Sequence, residues 1–286
     1  MKKVKSRSEF TTPLDPENKE AGESFKSSHF EYDNSGNIVS FESYNSDETI
    51  ESRIITKFDE KGKIIEEINY SQDNELTDRS VYSRNQKGKI EKIEIFYPDY
   101  NPTIKKYKWD KDEKMLEIEI SDSDGDPESK EIIKFNENNI PIEKLILDHE
   151  NKFAEKIVYI YNQDNNLIHK MELDKKDKII IQDKLYYDEN NNVLKSHKLN
   201  RKNRLLETIE FQYNNNGKPL MQNFNNQQII SFEYDKEGNP VKELRKNMHG
   251  LIEHEGYFSY ENNGLIIEEK NLFEIKKYQY EFFNDN

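Results

Sequence analysis

The stretch Tyr32-Asp33-Asn34-Ser35-Gly36-Asn37-Ile38 returns 26 residues later as Phe58-Asp59-Glu60-Lys61-Gly62-Lys63-Ile64, nearly residue for residue. The shared phrase is an aromatic ring, Asp or Asn, two polar residues, Gly or Asn, a polar residue and an aliphatic. Further copies are anchored at Trp109-Asp110, Phe135-Asn136, Tyr161-Asn162, Tyr187-Asp188, Tyr213-Asn214, Tyr234-Asp235 and Tyr260-Glu261, with a degenerate copy at Arg84-Asn85. From Tyr32 onward the anchors step by 26, 26, 25, 26, 26, 26, 26, 21 and 26 residues. So constant a period marks a repeat architecture.

Within each copy, rings and aliphatics occupy every second position before the anchor, as in Ile157, Tyr159 and Tyr161, or Ile209, Phe211 and Tyr213. This is the spacing of a strand with one buried face. The Asp-x-x-Gly that follows supplies a side chain able to accept backbone N–H groups and a residue tolerant of positive φ, the needs of a tight turn. An aliphatic pair such as Ile64-Ile65 or Val193-Leu194 opens the return strand. A second polar turn, as at Ser71-Gln72-Asp73-Asn74-Glu75 or Asn200-Arg201-Lys202-Asn203, closes the unit. Paired helices are excluded, because turn residues interrupt the chain every ~10 to 13 positions. The expected fold is all-β, with about ten 26-residue β-hairpin repeats forming a long, twisted antiparallel meander sheet, open or spirally coiled. About twenty strands at ~4.8 Å each would make an uncurled ribbon roughly 95 Å long. The expected division is a disordered leader over 1–27 and a β-hairpin repeat domain over 28–286.

Only 33% of the 286 residues are hydrophobic and 35% are charged, which suits a thin body better than a thick core. The 17 Tyr and 15 Phe argue against a disordered chain, since large rings drive burial. A net charge of -14 disfavours nucleic acid and anionic membranes as partners. The absence of Cys excludes disulfides, thiolate metal sites and Cys nucleophiles. No apolar run approaches the ~20 residues of a transmembrane helix, so no membrane span is expected. Met1 to Glu9 is positively charged, but no apolar stretch of signal length follows. The compartment stays open: cytoplasmic if Met1 is the native start, secreted or surface-attached if a signal was removed.

The phrases Phe30-Glu31-Tyr32-Asp33-Asn34-Ser35-Gly36-Asn37-Ile38 and Phe232-Glu233-Tyr234-Asp235-Lys236-Glu237-Gly238-Asn239 resemble the tyrosine-aspartate (YD) repeats of the bacterial rearrangement-hotspot (RHS) proteins. The resemblance runs over most of the chain after about Ser27. It implies β-hairpins wound into a spiral sheet or shell, often carried by secreted toxins. The chain ends at Asn286 without a toxin domain, so a complete cargo-enclosing capsule is not expected. A weaker similarity is to the membrane-occupation (MORN-like) hairpin repeats of some antitoxin-like proteins, which are glycine-rich where this chain has ten Gly.

Several groups of residues invite a chemical reading. The ring column Tyr32, Phe58, Trp109, Phe135, Tyr161, Tyr187, Tyr213, Tyr234 and Tyr260 is read as packing from hairpin to hairpin, with a stacking platform for sugars or peptides as the alternative. Asp122-Ser123-Asp124-Gly125-Asp126 alternates carboxylates as calcium loops do, but lacks the distal Glu ligand and flanking helices, and is read as an acidic hairpin turn. The six histidines, His29, His149, His169, His197, His249 and His254, form no zinc-ligand spacing. Alternating charges from Lys89 to Glu94 read as a solvated sheet face. No nucleophile elbow, phosphate-binding loop or dinucleotide fingerprint is present. Accordingly no catalytic, cofactor-binding or metal residue is assigned and no cofactor or enzymatic activity is expected.

The expected function is a non-enzymatic repeat scaffold that presents an extended sheet to a macromolecular partner, a protein with a basic or neutral surface, in one form a toxin-accessory or toxin-neutralising protein. The alternative is a secreted or surface-attached module that binds glycans through exposed rings.

Overall fold

The computed structural model describes residues 2–225 and 227–284. The strands run β1 (Val4–Pro13), β2 (Phe25–Tyr32), β3 (Ile38–Tyr44), β4 (Ile50–Phe58), β5 (Ile64–Tyr70), β6 (Leu76–Arg84), β7 (Ile90–Tyr97) and β8 (Tyr100–Trp109). They continue as β9 (Met115–Ser121), β10 (Pro127–Phe135), β11 (Pro141–Asp148), β12 (Phe153–Tyr161), β13 (Leu167–Leu173), β14 (Ile179–Tyr187) and β15 (Val193–Asn200). The last are β16 (Leu205–Tyr213), β17 (Pro219–Phe224), β18 (Gln228–Tyr234), β19 (Pro240–Asn247), β20 (Ile252–Tyr260), β21 (Ile266–Lys270) and β22 (Glu274–Phe282). Each strand pairs antiparallel with the next, and β1 pairs with β22 from Val4↔Phe282 to Pro13↔Glu274. The sheet is therefore a closed barrel of 22 strands, not the open or spirally coiled meander expected from the repeat.

Two features account for closure. First, the stretch expected as a disordered leader over 1–27 holds β1 and the start of β2, and β1 is the strand that joins the two ends of the sheet. Second, nearly every hairpin carries a register shift beside its turn, as at Glu31/Tyr32, Ser43/Tyr44 and Lys57/Phe58. A bulge sharpens the local bend and twist of its strand. Sharing 360° among 22 strand interfaces asks only about 16° of each.

The turns explain the bulges. At the first, Gly36 donates its N–H to the Asp33 carbonyl (3.0 Å) and Asp33 N–H donates to Asn37 O (2.9 Å), while Gly36 takes φ 89°. This is a type I turn followed by a left-handed residue, which places one extra residue on the return strand. The Asp33 carboxylate accepts the N–H groups of Ser35 (2.8 Å) and Asn37 (2.9 Å). Several second turns of the repeat are built the same way: Asp148 accepts from Glu150 and Lys152, Asp174 from Lys176 and Lys178, Asn200 from Lys202 and Arg204.

The wall has no core behind it. Only Leu116 (8% exposed) and Leu173 (9%) are buried hydrophobics among the described residues. The close backbone contacts of each strand are with its neighbours around the ring, and the scarcity of buried apolar side chains shows no second layer packed on the sheet. The accessible surface is 18663 Å², whereas a packed chain of 34.2 kDa should expose about 12,900 Å². The excess is that of a shell wetted on both faces.

Candidate binding surface

Because every second connection lies at the same end of the barrel, all the anchor residues end their strands at one rim. There they form a ladder across the wall. The hydroxyls of Tyr161, Tyr187 and Tyr213 donate to the carbonyls of Pro141 (2.8 Å), Leu167 (2.6 Å) and Val193 (2.9 Å), each 20 residues earlier on the preceding hairpin. Tyr234, Tyr260 and Tyr280 make the same bond to Pro219, Pro240 and Ile266. Burial raises the pKa of all six phenols above its usual value of 10. Arg84, a degenerate anchor by sequence, keeps the pattern by other means: its Nη2 donates to Ile64 O (3.1 Å), again 20 residues earlier. Lysines after the turns reach forward in turn, Lys63 Nζ to Gly88 O (2.9 Å) and Lys114 Nζ to Asn136 O (3.0 Å).

The ring column is thus part of the wall. Its rings are half-buried, and five of its tyrosine hydroxyls are committed to backbone carbonyls instead of being free for a sugar. Concavities at this rim are copies of one another: the cleft between Asp188–Asn192 and Phe211–Gly217 recurs between Asp235–Asn239 and Phe258–Gly264. At the closing seam, Arg7 lies across from Phe30 on one side and Tyr280 on the other, its guanidinium 4.2 Å from the Phe30 ring centre.

Ion pairs stripe both faces. Glu66, with its side chain 11% exposed, sits between Lys57 (2.5 Å) and Arg79, whose hydrogen bonds lower its pKa. Glu113 binds Lys87 (2.7 Å) and Lys89 (2.6 Å), and these hydrogen bonds bring its pKa to about 2. Lys92 pairs with Glu94 (2.9 Å) within the stretch read as a solvated face. On the face that carries the anchors, Glu131, Lys144, Glu155 and Glu172 interleave with the rings; on the other, Lys130, Lys156, Lys184 and Lys195 interleave with Leu and Ile. On these strands charged side chains interrupt the apolar positions of both faces. No helix among the described residues is long and apolar enough to cross a membrane.

The remaining sequence candidates are dispersed. Asp122 accepts the N–H groups of Asp124 and Asp126 (both 2.9 Å) and Gly125 takes φ 87°, so this acidic stretch is the hairpin turn between β9 and β10. His29 bonds Ser8 Oγ (2.9 Å), His169 bonds the buried Gln182 (2.7 Å), and His197 stands edge-on to Tyr186. His149 and His249 lie in turns and His254 lies across from Arg245. No cluster of three or more potential metal ligands occurs among the described residues.

No protein-family model matches the chain, and no curated protein matches it in sequence. Among solved structures it is similar to a TcdB2-TccC3-TEV chain (13% identity, TM-score 0.40, covering 86% of this chain and 12% of that one). It is also similar to the Photorhabdus luminescens Tc holotoxin pore (12% identity, TM-score 0.39, 91% and 14%). A porin-like protein from Bacteroides uniformis matches at 7% identity and TM-score 0.33, covering 97% of this chain and 98% of that one. The chain spans about an eighth of the length of the toxin-component chains it matches. At these identities and TM-scores the likenesses do not establish the YD-repeat family for this chain.

Proposed function

We propose that the chain is a non-enzymatic binding scaffold, a rigid hollow wall that presents polar and aromatic surface to a protein partner. The observation that carries this reading is the surface excess of a closed, coreless shell: 22 strands hold 18663 Å² open to water. Repeat walls offer area instead of one deep pocket, and the clefts here recur from hairpin to hairpin. The acid balance favours a basic partner. Its negative charge stands on the turns, as at Asp122, Asp124 and Asp126, where a partner meets it first. A toxin-accessory or toxin-neutralising protein is one form of this role.

Titration calorimetry with poly-L-lysine, poly-L-glutamate and a hexasaccharide tests the reading. Binding of poly-L-lysine that weakens with salt, and weakens further in the Asp122→Asn/Asp124→Asn/Asp126→Asn variant, is expected. Tighter binding of the hexasaccharide, or equal binding of poly-L-glutamate, would refute it.

A further inference from the structure

The one irregular step in the repeat, 21 residues between Tyr213 and Tyr234, shortens a hairpin. Strand β17 spans only Pro219–Phe224 and β18 only Gln228–Tyr234, and the last pairing of β16 with β17 is Ile209↔Phe224. The rim opposite the anchors therefore has a notch at the β17–β18 turn, beside which Leu205 and Leu206 stand exposed. The next two turns on that rim carry the most prominent apolar groups nearby: Met248 and Leu251 (64% exposed each) in the β19–β20 turn and Phe273 (56%) in the β21–β22 turn. Isolated exposed hydrophobics are ordinary, but a contiguous run over neighbouring turns marks an interaction surface.

The charges bracketing this arc are opposite in sign. On one side the β15–β16 turn carries Arg201, Lys202 and Arg204 without an acid; on the other the β1–β2 connection carries Asp15, Glu17, Glu20 and Glu23 against Lys19. Counted along the rim, the basic turn lies two turns before the β19–β20 turn and the acidic connection two turns after it. A two-fold axis through the β19–β20 turn would thus place basic turn on acidic connection twice, and Phe273 of each copy at the notch of the other.

From this symmetry of knob, hole and charge we infer that the chain forms a rim-to-rim homodimer, centred on Met248 and Leu251. A two-fold contact must be self-complementary, and this arc is. Four hairpin steps at ~9.6 Å span roughly 38 Å, enough for a contact at the small end of specific interfaces. The anchor rim and the barrel interior stay open in such a pair.

Sedimentation equilibrium between about 1 and 100 μM tests this with the whole chain. A dimer of twice 34.2 kDa is expected. Met248→Asp/Leu251→Asp should be monomeric with an unchanged circular dichroism spectrum, and Phe273→Ala should weaken the dimer about tenfold. Arg201→Glu/Lys202→Glu and Glu17→Lys/Glu20→Lys should each be monomeric alone and dimerise when mixed. A wild-type monomer at 100 μM, a dimer indifferent to Met248→Asp/Leu251→Asp, or charge-reversed variants that fail to pair on mixing would overturn the inference. Capture of a different protein by the arc of a monomeric chain would overturn it as well.

Discussion

Removing the tyrosine rungs while keeping their rings measures what holds one hairpin to the next. In Tyr161→Phe, Tyr213→Phe and Tyr260→Phe each ring stays in place and only the bond to Pro141, Val193 or Pro240 is lost. A neutral hydrogen bond contributes about 1 kcal/mol net, and water can reach the freed carbonyl at this half-exposed rim, which holds the loss near that figure. The three sites are four strands apart, about 19 Å, so their costs should add to about 3 kcal/mol. That amounts to a fall in Tm of about 6 °C or more. Arg84→Tyr should move the other way. It restores a hydroxyl donor toward Ile64 O and removes the buried Arg84 Nε, which has no hydrogen-bond partner; a gain of about 1 kcal/mol follows from relieving an unpaired buried donor. Urea unfolding followed by far-ultraviolet circular dichroism and by Trp109 fluorescence reads both. A triple variant that costs less than about 0.5 kcal/mol, within the range of indifferent surface changes, would refute the ladder as a source of stability. So would Arg84→Tyr proving less stable than Arg84→Ala.

The same phenols set an alkaline limit. Their folded pKa values lie above 10 because of burial, so their contribution is complete below pH 10 and is lost as pH rises through the folded values; absorbance at 295 nm should show tyrosinate appearing together with unfolding. At the acid end, Asn37 and Asn192 amides lower the pKa of Asp33 and Asp188, and backbone N–H groups lower Asp59, Asp148 and Asp174. Stability from these turns is present above the unfolded value near ~3.9 and lost as pH falls through the lower folded ones. Replacing these five Asp by Asn, the residue already used at 85, 136 and 162, should shift the acid midpoint downward in a circular dichroism titration. Glu48 holds φ 63° without a glycine's freedom, and Glu48→Gly should raise stability by roughly 0.5–1 kcal/mol in urea unfolding. Small-angle scattering of the monomeric Met248→Asp/Leu251→Asp variant should give a radius of gyration near ~23 Å for a single closed ring with strands tilted by roughly 40°, between the ~19 Å of a packed globule and the ~28 Å of a flat ribbon.

The hairpin was legible because its information is local. Ring, Asx, Gly and aliphatic sit within seven residues at Tyr32–Ile38, and alternation names the face. The ladder was half legible: a column of rings was visible, but its bond to a carbonyl 20 residues back depends on how hairpins stagger, and Arg84 joins it with different chemistry. Closure was not legible. Strand β1 has no ring anchor and contains Ser6, Ser8 and Pro13, so nothing in its own pattern announces a strand; its partners β2 and β22 come from opposite ends of the chain. Curvature escaped for a related reason, since each bulge bends the sheet only slightly and its effect exists only as a sum.

A ring also resolves a difficulty that an open ribbon of these residues could not. With so little buried apolar surface, the two end strands of a ribbon would each expose a full row of N–H and C=O groups, inviting further strands to add. In the barrel those two rows satisfy one another along β1 and β22, nine pairs from Val4 to Pro13. Closure also changes what opening costs, because no strand can fray from an end without parting two ladders. The shortest of these, three pairs between β21 and β22, is flanked by the long β1–β22 pairing, and Tyr280 Oη crosses it to Ile266 O (2.8 Å). The anchor chemistry is thus spent again at the place where the backbone ladder is thinnest, and a wall without a core is held by continuity around its circumference.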